Sequence, residues 1–158
     1  MTHGHYDHIL GVEQIRSKTG AKVVIGKKDA YCLVSESGSL AGMAGQESET
    51  GPADIEVDDG DVISVGNLKC EFINTPGHTC GSMCIIVDNV IFSGDTLFFE
   101  DCGRCDLPTG DYGQMLQSLR RLALLGGDYG VHPGHGESTL LSHERKANPY
   151  MIEGLKCK

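Results

Sequence analysis

The sequence predicts an α+β fold in which antiparallel strands form layers and helices lie to one side. The first observation is a series of short apolar runs, separated by turn residues, at 63–65, 68–75, 83–87 and 90–93. The second is an apolar stripe of helical period over 112–125, which ends at Gly126 and Gly127. The chain shows no internal repeat and no dividing linker, so we expect one domain over residues 1–158.

The elements before these strands are short. Ile9, Val12 and Ile15 fit one side of a helix that Gly20 closes. Residues 22–25 are a candidate for a short buried strand, and residues 29–34 for two helical turns. Residues 35–53 are rich in Gly, Ser and Glu and lack periodicity. They predict a long mobile loop, with a lid over a site as the alternative.

The second half of the chain adds a hairpin, a further strand and two helices. Asp88 and Asn89 form a two-residue connection between the strands that flank them. A short strand is predicted at 129–132, directly before the motif PGHG. A helix is expected over 138–147, and a final short helix follows the break at Asn148-Pro149.

Composition and charge exclude several functional classes. The 158 residues carry 13 basic and 22 acidic side chains, a net charge of −9, so we expect no nucleic-acid partner. The longest uninterrupted apolar run, 83–87, is far too short to span a bilayer, and residues 1–10 lack the pattern of a signal peptide. Seven scattered cysteines favour reduced thiols and a cytoplasmic location. Cys102 and Cys105 have metal-like spacing without a second pair, so we expect no zinc there.

A cluster of metal-type side chains lies in the segment His3-Gly4-His5-Tyr6-Asp7-His8. In an extended segment, positions two apart face the same side, so His3 and His5 can hold one cation. Asp7 and His8 then project differently and can reach a second cation. Imidazole and carboxylate together are typical of zinc sites, with manganese and iron as alternatives.

Three later loops each present one further side chain of this kind. His78 lies in TPGHTCGS, Asp95 in IFSGDTLF and His135 in HPGHGEST, each at the end of a predicted strand. Loops at the ends of strands are where a rigid scaffold usually carries its functional residues. The sequence therefore predicts that the three loops contribute to one site.

With these motifs the chain resembles the metallo-β-lactamase superfamily and, within it, the glyoxalase II-like (hydroxyacylglutathione hydrolase-like) branch. The resemblance is carried by THGHYDH, TPGHTCGS, IFSGDTLF, CGRCDLPTGDYGQMLQSLRRL, the PGHG loop and the closing ER…NPY. It implies an αββα sandwich with two zinc ions per chain, iron or manganese being possible. The ligands that it implies are His3, His5 and His78 for the first metal, Asp7, His8 and His135 for the second, and Asp95 as the bridge.

The resemblance also implies a reaction. Two cations that share Asp95 would bind a hydroxide between them, because zinc lowers the pKa of bound water to about 7. We therefore expect Asp7 and Asp95 to be catalytic and the substrate to be a small-molecule thioester or another ester. Arg104 could contact an anionic group of that substrate, with a plain surface arginine as the alternative.

The chain departs from the family at its N-terminal end. In the family several strands precede the first histidine motif, which here begins at residue 2, so we expect a sandwich that lacks its first strands. The segment 1–8 would then lack neighbouring strands and be weakly held. Two other interpretations stay open: a persulfide dioxygenase-like enzyme with one iron, and a non-catalytic metal-binding fragment. The sequence leaves the oligomeric state open.

Overall fold

The structure is a computed structural model that describes residues 1–46 and 50–157. Its α-helices are α1 (Tyr6–Ile9), α2 (Val12–Thr19), α3 (Glu36–Ser39), α4 (Tyr112–Ala123), α5 (Leu141–Ala147) and α6 (Pro149–Lys156). Its strands are β1 (Val24–Gly26), β2 (Ile55–Val57), β3 (Val62–Val65), β4 (Leu68–Asn74), β5 (Met83–Val87), β6 (Val90–Gly94), β7 (Leu97–Phe98), β8 (Asp101–Cys102), β9 (Gly130–Pro133) and β10 (Thr139–Leu140). Two 3₁₀ helices span Lys27–Val34 and Ala41–Ala44. No helix of the described ranges has the length and apolar character that a bilayer crossing needs.

A six-stranded sheet in the order β10-β9-β6-β5-β4-β3 forms the centre of the fold. Its neighbouring strands are antiparallel except for β6 and β9, which run parallel. The parallel pair arises because the chain crosses over between these strands through α4, and parallel strands need such a long connection. Strands β1 and β2 form a separate parallel pair, and β7 pairs with β8 in an antiparallel hairpin. The predicted α+β class is confirmed.

Helices α4, α5 and α6 cover one face of this sheet. The apolar stripe of α4, with Met115, Leu119 and Leu122, is buried against Ile91 of β6 and Val131 of β9. Residues spaced four and three apart lie on one side of a helix, which is why the stripe faces the sheet as a unit. The helix predicted at 112–125 is confirmed and ends at Ala123, two residues early.

The opposite face of the sheet packs on the small sheet. Phe72 of β4 and Met83 of β5 are buried with Val57 of β2.

The first residues of the chain join the two sheets. The Met1 ammonium donates to the Val24 carbonyl at 2.6 Å, and the Met83 N–H donates to the Thr2 carbonyl at 2.8 Å. The expectation that the segment 1–8 lacks neighbouring strands is therefore wrong: extended backbone offers hydrogen-bonding groups on both edges.

Some local predictions differ from the structure. The strand expected at 22–25 lies at Val24–Gly26, and the turns expected at 29–34 form the 3₁₀ helix Lys27–Val34. The helix expected at 138–147 begins at Leu141, because Thr139–Leu140 pairs with β9 as strand β10. Boundaries of this kind depend on pairing partners far away in the sequence.

The prediction of a structureless loop is wrong for residues 36–44, which form α3 and the second 3₁₀ helix. The Ser35 hydroxyl caps α3 by accepting from the Gly38 N–H at 3.1 Å, and Leu40 and Ala41 are buried. Residues 47–49 of the expected loop lie outside the described residues. Burial of this one apolar pair, together with the helix cap, orders a segment whose composition favours a loop.

Candidate metal centre

The first group of metal-type side chains consists of His3, His5 and His78. His3 and His5 come from the extended segment before α1, and His78 from the loop after β4. All three are buried, with exposed fractions of 1%, 5% and 3%. His5 Nδ1 lies 2.8 Å from His78 Nε2, and one nitrogen of each ring lies within 4.8 Å of the others. The two-apart spacing therefore brings both histidines to one point, as predicted.

The second group consists of Asp7, His8 and His135. Helix α1 begins at Tyr6 and carries Asp7 and His8, and the centroid of the His8 ring lies 4.1 Å from that of the His3 ring in the first group. His135 reaches them from the loop after β9, with its Nε2 3.1 Å from Asp7 Oδ2 and 3.3 Å from His8 Nε2. This group is more open, since the side chain of His135 is 56% exposed.

Asp95 lies between the two groups, at the end of β6. Its Oδ1 is 3.2 Å from His8 Nε2, and its Oδ2 is 3.5 Å from His78 Nε2 and 3.6 Å from His135 Nε2. One carboxylate thus contacts histidines of both groups. The structure brings all seven residues that the sequence singled out as ligands into one place.

The chemistry of this cluster fits divalent cations. His3 Nε2 is buried and makes no hydrogen bond within the described residues, although such atoms normally have a partner, and buried Asp95 Oδ1 has only its contact with the His8 ring at 3.2 Å. Burial lowers the pKa of His3 well below its ordinary value and that of His5 to about 4, so both rings are neutral at neutral pH. Neutral imidazole and ionised carboxylate are the forms that bind metals.

The charge of Asp95 is set by opposing influences. Burial by itself would raise the pKa of its carboxyl group, but the contact with His8 and the charges of His78 and His135 together lower it. Burial would likewise lower the pKa of His8, whereas Asp95 and Asp7 raise it. The carboxylate of Asp95 is therefore ionised where the rings converge, as a bridging ligand must be.

The ring of His78 is oriented by backbone. Its Nδ1 donates to the Arg104 carbonyl at 2.8 Å, and because a carbonyl can only accept, Nδ1 carries the hydrogen. With Nδ1 engaged by the carbonyl, Nε2 is the ring nitrogen that remains to bind a cation. The contribution of Arg104 to the cluster is thus its carbonyl. Its guanidinium binds Asp106 instead, through Nε and a second nitrogen at 2.7 and 2.8 Å.

Asp29 supports the cluster, although no motif in the sequence indicated this role. It lies in the first 3₁₀ helix, is 1% exposed, and accepts from the N–H groups of Gly4 and Gly81 and from the Thr79 hydroxyl at 3.1, 2.9 and 2.7 Å. It thereby ties the segment between His3 and His5 to the loop that follows His78.

The close approach of Gly81 to Asp29 requires glycine, because a Cβ atom on Gly81 would overlap the Asp29 carboxylate. The only available signal was an acidic residue on the same side as the apolar Cys32 and Leu33.

A cavity of about 430 Å³ opens beside the cluster. Its lining combines site residues with apolar side chains: His5, Tyr6, Asp7, Leu40, His78, Asp95, Phe98, Arg104, Leu107 and His135. The cluster therefore faces a space that can hold a small molecule.

The fold and this cluster define a class of protein, and comparison with known proteins gives the same class. The Metallo-beta-lactamase superfamily profile matches residues 1–135. The chain belongs to this superfamily of metallo-hydrolases, whose members bind zinc or iron. The resemblance drawn from the motifs is confirmed.

Two relatives illustrate the range of the family. A probable metallo-hydrolase of Streptococcus pyogenes serotype M6 is 32% identical over 158 residues, which cover 95% of this chain and 68% of that protein. The hydroxyacylglutathione hydrolase of Maricaulis maris is 39% identical over 136 residues, which cover 85% of this chain and 46% of that protein. The chain thus spans less than half of the Maricaulis protein.

Two solved structures share the fold. The B3 metallo-beta-lactamase BLEG-1 superposes with a TM-score of 0.89 at 30% identity, over 95% of this chain and 74% of its own. TTHA1623, solved in a di-iron-bound form, superposes with a TM-score of 0.80 at 31% identity, over 94% and 74% of the two chains. The architecture is therefore that of the superfamily.

Proposed function

We propose that residues 1–158 are one hydrolase domain that cleaves a thioester at a site holding two zinc ions. The observation that carries the proposal is the position of Asp95, whose two carboxylate oxygens lie 3.2 to 3.6 Å from histidines of both groups. The first ion would be held by His3, His5 and His78, the second by Asp7, His8 and His135, with Asp95 shared. Imidazole nitrogens and carboxylate oxygens of this kind are the ligands that catalytic zinc takes in proteins.

Bound ions would supply a water molecule of lowered pKa and a Lewis acid for the scissile carbonyl. The described residues would hold those ions in place and accept protons during the reaction. Asp7 and Asp95 line the cavity and are carboxylates that can accept a proton there. The three described histidines of the lining are metal ligands in this proposal, so none of them is available to protonate a leaving group. A leaving group that departs without a proton suits such a site, and a thiolate, whose thiol has a pKa of about 8.5, is one.

The comparisons support both parts of the proposal. The Maricaulis relative is a hydroxyacylglutathione hydrolase, and an acyl-glutathione is a thioester. TTHA1623 binds two irons, which supports a dinuclear site and makes iron the alternative metal. A β-lactam is the second candidate substrate, because BLEG-1 superposes with a TM-score of 0.89.

Metal content and turnover, measured on the same preparation, test the proposal. We expect about two zinc ions per chain and hydrolysis of simple thioesters that exceeds hydrolysis of a chromogenic cephalosporin. Asp95→Asn should lower the metal content and reduce turnover roughly 100-fold or more, because it removes a charged ligand shared by both ions. Asp58→Asn is the matched control, since Asp58 is exposed and its carboxylate lies beside Lys27, 3.9 Å away.

Other outcomes would select the alternatives. One iron per chain with oxygen uptake would favour the dioxygenase interpretation. Preferred cleavage of the cephalosporin would favour a lactamase. Bound metal without turnover of any of these substrates would favour a metal-binding module. Each of these results contradicts the proposed thioester hydrolysis.

A further inference from the structure

The walls of the cavity beside the metal cluster are apolar. Tyr6 reaches it from α1, Leu40 from the junction between α3 and the second 3₁₀ helix, Phe98 from β7, and Leu107 from the segment before α4. These four side chains come from four separate elements and meet at one opening. Such convergence buries apolar groups of a ligand, because each methylene removed from water is stabilising.

Leu40 has a backbone conformation that leucine rarely adopts. Its φ is +64°, in the left-handed region, while its side chain is only 8% exposed. Its neighbours hold it there: Ser35 caps α3, and the Met43 N–H donates to the Leu40 carbonyl at 3.1 Å. A strained non-glycine residue persists only where its surroundings enforce it, and such residues concentrate at ligand sites. From this conformation the apolar side chain of Leu40 forms part of the cavity lining.

The one cation among the described lining residues is already paired. Arg104 binds the carboxylate of Asp106 through two nitrogens, at 2.7 and 2.8 Å. Both side chains of this pair are exposed, by 63% and 68%. The chain as a whole carries a net charge of −9. The cavity outside the metal cluster thus offers an anionic group no unpaired cation.

We infer that the substrate is an ester or thioester with an apolar acyl chain and without a carboxylate on that chain, the chain packing against Leu40, Phe98 and Leu107. The inference rests on the proposed hydrolysis and adds the substrate class. The sequence suggested that Arg104 could contact an anionic group of the substrate. In this inference its guanidinium instead pairs with Asp106.

A series of thioesters of one uncharged thiol tests the substrate class. Acetyl, butanoyl and hexanoyl thioesters of N-acetylcysteamine differ only in apolar length, and the glutaryl thioester ends in a carboxylate. We expect kcat/KM to rise roughly two- to fourfold with each methylene. The glutaryl thioester should fall at least about tenfold below the hexanoyl thioester, because its carboxylate would be desolvated without a partner.

Variants assign the effect to the cavity wall. Phe98→Ala and Leu107→Ala should lower the ratio of hexanoyl to acetyl turnover at least about threefold, since they remove the packing surface. Leu124→Ala is the matched control, because Leu124 is 66% exposed at the end of α4 and outside the described cavity lining; it should keep the wild-type ratio. Calorimetric binding of the S-hexyl and S-ethyl thioethers, which cannot be hydrolysed, should show the same preference.

The outcomes separate this inference from the proposed function. Hydrolysis of all thioesters at equal efficiency, or a preference for the glutaryl compound that Arg104→Gln abolishes, would overturn the apolar class and leave thioester hydrolysis standing. No hydrolysis of any thioester, with apolar thioethers still preferred in binding, would overturn the hydrolysis and leave the apolar site standing.

Discussion

At the scale of single residues, Asp29 determines how two ligand-bearing segments meet. Its carboxylate accepts from Gly4, which lies between His3 and His5, and from Thr79 and Gly81, which follow His78. Burial raises the pKa of Asp29 and outweighs the three hydrogen bonds that lower it, and the carboxylate holds these donors in fixed positions. Groups that orient metal ligands commonly change metal affinity 10- to 100-fold when removed.

We therefore expect Asp29→Asn to weaken zinc binding roughly 10-fold and Asp29→Ala to weaken it more, as measured by competition with a chromogenic chelator. An amide offers one oxygen where the carboxylate offers two, and its NH₂ group faces N–H donors. Asp54→Asn is the control, because Asp54 also accepts a backbone N–H, that of Val23 at 2.7 Å, away from the cluster. A lower melting temperature with unchanged zinc affinity in Asp29→Asn would show that Asp29 is only structural.

At the scale of elements, Asn148 joins α5 to α6. It is fully buried, and its side-chain oxygen accepts from the N–H groups of Tyr150 and Met151 at 3.0 and 3.1 Å. Its NH₂ group donates to the Asp101 carbonyl and to Glu144 at 3.0 and 2.9 Å. One side chain thus caps a helix and fixes it to the loop around β8.

Asn148→Ala should lower the free energy of unfolding by about 2 kcal/mol, measured by urea denaturation. About half of this arises from the lost helix cap and the rest from partners left buried without a hydrogen bond. Asn67→Ala, in the exposed turn between β3 and β4, should change it by less than about 0.5 kcal/mol. An equal effect of both substitutions would contradict this account of Asn148.

The elements also show what the sequence could predict. The helix over Tyr112–Ala123 and the hairpin at Asp88-Asn89 follow from local period and turn chemistry, and both are present. The seven residues of the cluster could be named because their motifs are local and together resemble those of the superfamily. The order of residues 36–44, the parallel pairing of β6 with β9 and the part of Asp29 could not, since each depends on neighbours distant in sequence.

At the scale of the whole molecule, the cluster connects four separate parts of the chain: the N-terminal segment and the loops after β4, β6 and β9. Without a cation, buried polar atoms such as His3 Nε2 stay unpaired, and several imidazoles face one another. Ligation therefore contributes to the stability of the fold itself, because the unfolded chain cannot assemble these groups.

Removal of the metal with a chelator should lower the melting temperature by about 5–10 °C, measured by circular dichroism. A ligand at 100 times its Kd adds roughly 2.7 kcal/mol of stability, and each kcal/mol shifts the melting temperature of a chain of this size by about 2–4 °C. In Asp95→Asn the same treatment should produce a smaller shift. Equal melting temperatures of the wild type with and without chelator would contradict the coupling.

The spread of the ligands along the chain has a consequence for synthesis. The first group is complete once His78 has left the ribosome, whereas the second waits until His135 has emerged. Because the chain grows at about 5–20 residues per second, several seconds separate the two moments. In the proposed dinuclear site, the group that contains His3 and His5 is thus exposed to the cations of the cell before the second group exists.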